Sequence, residues 1–222
     1  MLNIQPQRET DNKNIDYLYK KIKENYHEIE SDIYKANISE ISVLGAYYKM
    51  FMCILGIDLE DDNSIETPYR IAKMYLNEIC KGLNREEFKL TSFSNKKENG
   101  DYIYNQYIVI KDIPYYSLCS HHHLPFFGKV DIAYFPEEYF LGLSKFARIV
   151  DYLASKPQTQ ENLTNEIANF INEKIKPRGV MVRVRGRHLC MECRGAKVVE
   201  TETITQQLIG DIDKNEVLHI FR

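Results

Sequence analysis

Tryptophan is missing from all 222 residues of this chain, and no stretch approaches the roughly 18 consecutive apolar residues that a membrane-spanning helix needs. The longest apolar-rich segment, residues 43–57, is broken by Gly45, Lys49 and Gly56. The first twenty residues are polar and lack the continuous apolar stretch of a secretory signal. A basic excess is missing too: 29 Lys and Arg stand against 32 Asp and Glu, a formal net charge of −3. That balance argues against a dedicated nucleic-acid binder. Neither an internal repeat nor a low-complexity linker is present. The five cysteines are an odd number, which fits a reduced, cytoplasmic setting better than a disulfide scaffold. With 44% hydrophobic residues and 16 Tyr, the chain has an ordinary globular composition whose core is expected to lean on Tyr, Ile and Leu.

Periodicity divides what remains into a helical first part, residues 1–88, and a mixed second part, residues 89–222. Ile15, Leu18, Ile22, Tyr26, Ile29 and Ile33 recur at helical spacing. A second helix is expected from about Glu40 to Leu55, with Leu44, Tyr48, Phe51 and Leu55 on one side and Gly56 as its stop. Thr67-Pro68 reads as an N-cap followed by proline in the first turn, with Gly82 closing that third helix and Ile71, Tyr75 and Ile79 forming its buried stripe. Strand patterns then take over. Residues 102–111 are rich in Tyr, Ile and Val, and Val130, Ile132 and Tyr134 alternate with polar or small neighbours. So do Val180, Val182 and Val184, and the run Val199, Thr201, Thr203 and Thr205. Two helices lie between the second and third of these strands, one opening at Ser144 and ending before Pro157, the other over residues 160–175. Adjacent strands at each end favour antiparallel pairing, so the fold class is α+β.

The chemistry concentrates in Cys119-Ser120-His121-His122-His123 and, about seventy residues on, Cys190-Met191-Glu192-Cys193. A C-x-x-H pair with a distant second Cys offers the sulfur and nitrogen donors that tetrahedral zinc prefers. Any one Cys taken alone is a small buried hydrophobe. Three consecutive imidazoles, however, are poor core fillers. Three protein ligands would leave an open, catalytic position, whereas Cys193 as a fourth would close a structural site. His121 and His188 flank the ligands and would have no purpose beside a closed ion; beside an open one they are placed to exchange protons. That surplus favours the catalytic arrangement. Leu143-Ser144-Lys145-Phe146-Ala147-Arg148 reads as a capped helix start with two cations on one face, which suits phosphate, though an ordinary exposed helix has the same spacing. Arg70, Lys73 and Arg194 are further positive charges that would suit a polyphosphate. Gln160-Glu161 opens another helix, and a carboxylate there can accept from an amide N–H and an exocyclic amine together, as guanine presents them.

At these motifs the sequence resembles the GTP cyclohydrolase I family. The likeness runs from ETPYRIAKMYLNEI through CSHHHLPFFGKVDIAYFP, LGLSKFARIVDYLA and QTQENLT to GRHLCMECRG and TITQQLIG. It implies Cys119, His122 and Cys190 as Zn2+ ligands and His121 and His188 as proton carriers. It places Gln160 and Glu161 on the guanine edge, Ser144 near the ribose, and Lys145, Arg148, Arg194 and Arg70 on the triphosphate. The implied reaction is hydrolytic opening of the imidazole ring of GTP, loss of formate and closure to 7,8-dihydroneopterin triphosphate, the first step toward folates and pterins. The implied architecture is the tunnelling fold, its subunit sheets closing into a shared barrel in a homodecamer of two stacked pentamers with active sites at subunit boundaries. No nucleic acid or membrane is implied as a partner. The chain departs from the family pattern at His123, Cys193, Arg185 and Arg187. Two other readings remain: a non-catalytic module whose zinc is closed by Cys193, and a related tunnelling-fold enzyme acting on another purine or pterin.

Overall fold

The structure is a computed structural model that describes residues 40–83 and 90–221; the helix expected over residues 15–33 lies outside them. The chain divides into two compact units between Glu78 and Ile79.

In the first unit, α1 (Glu40–Ile54) and α2 (Thr67–Met74) form a helical pair. Gly56 ends α1 with φ of 75°, a left-handed conformation that glycine adopts without a Cβ penalty. The N–H of Ile57 returns to the Met52 carbonyl at 3.1 Å, the long-range bond of a Schellman stop. The buried face of α1 differs from the expected stripe. Gly45, Ala46, Met52 and Cys53 are inside, while Phe51 and Leu55 are exposed. Small residues win because the Tyr69 ring lies flat on the helix, where a Cβ on Gly45 would stand 2.7 Å from it. Helix α2 is preceded by Glu66, with proline in its first turn. Thr67 does not cap it; its hydroxyl donates instead to the Asn63 carbonyl at 3.1 Å. The helix widens to a π turn over Tyr75–Ile79 rather than running unbroken to Gly82.

The second unit is built on a five-stranded sheet of order β5-β2-β3-β6-β7. Its strands are β2 (Ile108–Cys119), β3 (Pro125–Phe135), β5 (Pro157–Gln158), β6 (Gly179–His188) and β7 (Thr203–Gly210). The pairs β2–β3, β3–β6 and β6–β7 are antiparallel, and β5 joins β2 in parallel. A separate two-stranded ribbon pairs β1 (Ser92–Ser94) with β4 (Tyr139–Leu141). The first long strand starts later than its Tyr- and Ile-rich run suggests and continues to Cys119. The last starts at Thr203, leaving Val199 exposed outside it.

Helices α3 (Leu143–Ala154) and α4 (Gln160–Ile175) cover one face of this sheet. Val130, Ile132, Tyr134, Val180, Val182 and Val184 meet Phe146, Ile149, Leu163, Ile167 and Ile171 in one core. Thr159 caps α4 by accepting from the Asn162 N–H. Helix α3 opens one residue before Ser144: Gly142 is its N-cap, and no side chain caps it. Ser144 therefore sits in the first turn, exposed. Gly82 forms part of a short 3-10 turn and donates its N–H to the Ser155 carbonyl at 2.9 Å.

The opposite face of the sheet carries Ala133 and Met181, packed against Val217 and Phe221. A short helix α5 (Leu189–Glu192) follows β6, and α6 (Lys214–Ile220) follows β7. Asp131, fully buried on that face, receives a two-pronged bond from Arg183 at 3.0 and 2.7 Å. Arg185 adds a contact to Asp131 and a 2.7 Å bond to Asp112. A buried carboxylate is tolerable only with such partners.

Candidate active site

Strand order decides where the chemistry falls. Strands β2 and β6 each run antiparallel to β3, so they are parallel to one another and both finish at the end of the sheet where β3 begins. Cys119 is the last residue of β2 and His188 the last of β6, about 10 Å apart by two strand spacings. Short connections close the gap. After Cys119 the chain turns back at once, with His123 N–H bonded to the Cys119 carbonyl at 2.8 Å and Cys119 N–H to the Leu124 carbonyl at 2.9 Å. His123 takes a positive φ of 51° in this turn. After His188, α5 folds Cys190 inward.

The result is a cluster in which the donor atoms of Cys119, His122 and Cys190 all lie within 4.8 Å of one another. Cys119 is buried, Cys190 half-buried and His122 exposed, so the cluster opens to solvent on the imidazole side. Burial pushes the Cys190 thiol up, and the neighbouring Cys119 adds to that rise. A divalent cation seated between the two sulfurs would reverse it. Two sulfurs and one imidazole at this separation fit a borderline-soft ion. Cys193 is exposed and stands outside the cluster, and so does His123. Among the described residues the group that could hold an ion therefore has three members.

Two further histidines are close in the chain to the cluster: His121 meets Cys119, and His188 lies two residues before Cys190. His121 Nδ1 lies 3.7 Å from Cys119 Sγ. His188 faces the helices, stacked on Phe126 with ring centroids 4.8 Å apart, and its Nε2 lies 2.9 Å from Gln160 Oε1. Burial lowers the His188 pKa, opposed by the carboxylates of Glu161 and Glu192. The imidazole is thus held toward its neutral form. Glu161 is exposed at the start of α4, and that end of the helix is brought here because β5 pairs with the tip of β2, Cys119 opposite Gln158. Arg194 is exposed and near enough to Cys190 to favour its thiolate.

The two arginines that break the expected pattern are each paired with carboxylates. Arg187 makes a paired bond to Glu192 at 2.9 and 2.7 Å, and Arg185 is spent on Asp112 and Asp131. Both project from the sheet face opposite His188.

A family model described as GTP cyclohydrolase I matches residues 45–220. The chain belongs to the GTP cyclohydrolase I family. It is 43% identical to GTP cyclohydrolase 1 of Hydrogenobaculum sp. over 73% of this chain and 85% of that one. Its identity to GTP cyclohydrolase 1 of Clostridioides difficile is 42%, over 72% of this chain and 83% of that one. A third relative, the Bifunctional protein FolKE of Lactococcus lactis subsp. cremoris, is 40% identical over 75% of this chain, which spans 47% of that longer protein.

Within this family member the remaining expected residues fall into two groups. Gln160, Glu161 and Arg194 gather at the cysteine end of the sheet. Ser144, Lys145 and Arg148 do not. Helix α3 begins where Phe146 packs on Tyr134, at 5.4 Å between ring centroids, near the far end of β3. It finishes where Gln158 Nε2 donates to the Leu153 carbonyl at 2.7 Å, beside the tip of β2. Twelve helical residues span about 18 Å, so Lys145, in the first turn, stands toward the end of the sheet away from Cys119, with Arg148 about midway along the helix. Arg70 lies exposed on α2 in the first unit. Phe126 had no signal in the sequence, because it meets His188 across two strands rather than along the chain.

Proposed function

We infer that this chain is a GTP cyclohydrolase I, opening the imidazole ring of GTP by hydrolysis, releasing formate and forming 7,8-dihydroneopterin triphosphate at the start of tetrahydrofolate and pterin synthesis. The observation that carries this reading is the three-membered cluster of Cys119, His122 and Cys190 with His121 and His188 close to it in the chain. Cys119, His122 and Cys190 would hold zinc, which when bound supplies Lewis acidity and lowers the pKa of water toward neutrality.

The chain's own groups then divide the work. The Glu161 carboxylate, exposed beside His188, accepts from the guanine N1–H and exocyclic amine. His188, held toward its neutral form by burial, and His121 take and return protons as the imidazole ring opens and formate departs. Arg194, exposed beside Cys190, meets the polyphosphate.

Lys145 and Arg148 complete the triphosphate site, with Ser144 near the ribose. Since Ser144 and Lys145 lie toward the far end of their own sheet, this helix serves a neighbouring subunit's cluster. This supports the homodecamer of stacked pentamers, whose sheets would continue from subunit to subunit into a barrel. The outer edge of β7 fits that role: it has no partner among the described residues, and open edges call for one. Action in the cytoplasm belongs to the same reading; among the described residues no helix is long and apolar enough to cross a membrane.

Incubating the purified, metal-loaded protein with GTP and measuring formate together with the fluorescent oxidised pterin tests the proposal. Stoichiometric appearance of both is the expected result. Metal-loaded protein that releases neither would end it.

A further inference from the structure

Gln160 is the first residue of α4, yet its side chain turns inward and is 1% exposed. Its Nε2 donates to the Thr203 carbonyl at 2.9 Å, Thr205 Oγ1 at 3.1 Å and the Val184 carbonyl at 3.2 Å. Its Oε1 faces His188 Nε2 at 2.9 Å. The direction of every bond in this group can be deduced. The Thr164 hydroxyl donates its single proton to the Gln160 backbone carbonyl at 2.7 Å. At the 2.6 Å contact between Thr164 and Thr205 the proton must therefore come from Thr205. The Thr205 oxygen is then left with lone pairs for the Gln160 N–H. Turning the amide over would set Oε1 against two carbonyl oxygens. So Oε1 points at His188, and an amide oxygen only accepts. The proton between them belongs to the histidine.

We propose that Gln160 is a positioning residue which fixes the orientation and tautomer of His188, holding Nε2–H toward its own Oε1 and leaving Nδ1 as the ring nitrogen available to substrate. The proposal rests on the function inferred above and moves Gln160 from the guanine edge to the histidine. Contact with guanine would require Gln160 to abandon carbonyls buried between β6 and β7, and an unpaired buried carbonyl is costly. Glu161, with its carboxylate exposed, keeps the guanine role alone. Two neighbours reinforce the arrangement. Phe126 fixes the plane of the imidazole by stacking at 1°. Gly186 leaves the space that the amide fills, since a Cβ there would stand 2.5 Å from Gln160 Oε1.

The test compares steady-state turnover of GTP by the zinc-loaded parent, Gln160→Ala and Thr205→Val, with ring-15N NMR of His188 assigned by its loss in His188→Ala. A positioning role lowers kcat by about a hundredfold in Gln160→Ala and about tenfold in Thr205→Val, while KM for GTP moves less than about threefold. Thr205→Val decides the matter if Gln160→Ala lacks the parent's thermal transition. A loss carried mainly by KM returns Gln160 to the guanine edge and overturns the proposal. The NMR arm is independent of turnover: the parent should carry its proton on Nε2, and Gln160→Ala should show mixed tautomers. A proton on Nδ1 in the parent overturns the proposal. A parent that releases no formate defeats the function instead, and leaves the NMR arm to decide the tautomer.

Discussion

Phe126 and His188 are cross-strand partners in β3 and β6, and their rings lie parallel within 1° at 4.8 Å between centroids. Phe126 is completely buried, so a rigid wall backs one face of the imidazole. Leucine at this position would keep most of the apolar volume and lose the flat surface. Phe126→Leu is expected to cost about 1 kcal/mol of stability, the scale of an aromatic pair. Its kcat should fall by about tenfold, because a freed imidazole samples unproductive angles. Thermal melts and steady-state kinetics on the same preparation separate the two effects.

Metal content should follow the geometry rather than the C-x-x-C spacing. Cys119→Ser and Cys190→Ser are expected to abolish tight zinc binding. Cys193→Ser, altering an exposed thiol outside the cluster, should retain the metal. Elemental analysis of the purified variants reads this directly, and zinc lost from Cys193→Ser would contradict a three-ligand site.

Acid stability should respond to Glu137. The bond from Tyr102, followed by the one from Arg178, holds this carboxyl below its ordinary value of 4.5. A depressed carboxylate contributes stability that is fully present above the unfolded value and is lost as pH falls through the lower folded value. Glu137→Gln should therefore lower the thermal midpoint near neutral pH. Below pH 4.5 its melting curve should change less steeply with acidity than the parent's. Melting temperatures across a pH series from neutral down to acid check both.

Tyr115 offers a substitution expected to stabilise. Its side chain is 2% exposed, and its hydroxyl has no hydrogen-bond partner among the described residues. Burial, followed by the charge of Glu202, pushes the phenol well above its ordinary range, as a desolvated hydroxyl should be. Tyr115→Phe removes the buried polar atom and keeps the ring that packs edge-on against Phe126. The expected gain is about 1 kcal/mol, or roughly 2–4 °C in melting temperature. A lower melting temperature would show that the hydroxyl is satisfied in solution.

Much of the second unit was legible in the sequence because local pattern and tertiary burial agree there. The helix over residues 160–175 begins with a threonine cap and ends where its apolar stripe ends. The alternation at Val130, Ile132 and Tyr134 matches three fully buried side chains. The Cys and His spacing pointed to a metal site, and the strand ends bring together three side chains that could hold an ion. Where the reading diverged, a distant contact decided. The buried face of α1 is set by Tyr69, which no helical period reveals. Ser144 had the chemistry of a cap, but the chain enters α3 at Gly142. The inward turn of Gln160 gave no local signal, since its partners are strand groups 24 to 45 residues away. The separation of Lys145 from Cys119 follows from the path of α3 across the sheet and leaves no local trace.

On the proposed shared site, that separation would make each chain half of two different sites. A protein lacking Cys190 would then still offer intact α3 cations to its neighbour, and one lacking Lys145 an intact cluster. Two such crippled preparations, each inert alone, should regain part of the parental rate when dissociated and reassembled together. Rescue by subunit complementation would be impossible for an enzyme whose every catalytic group came from one polypeptide.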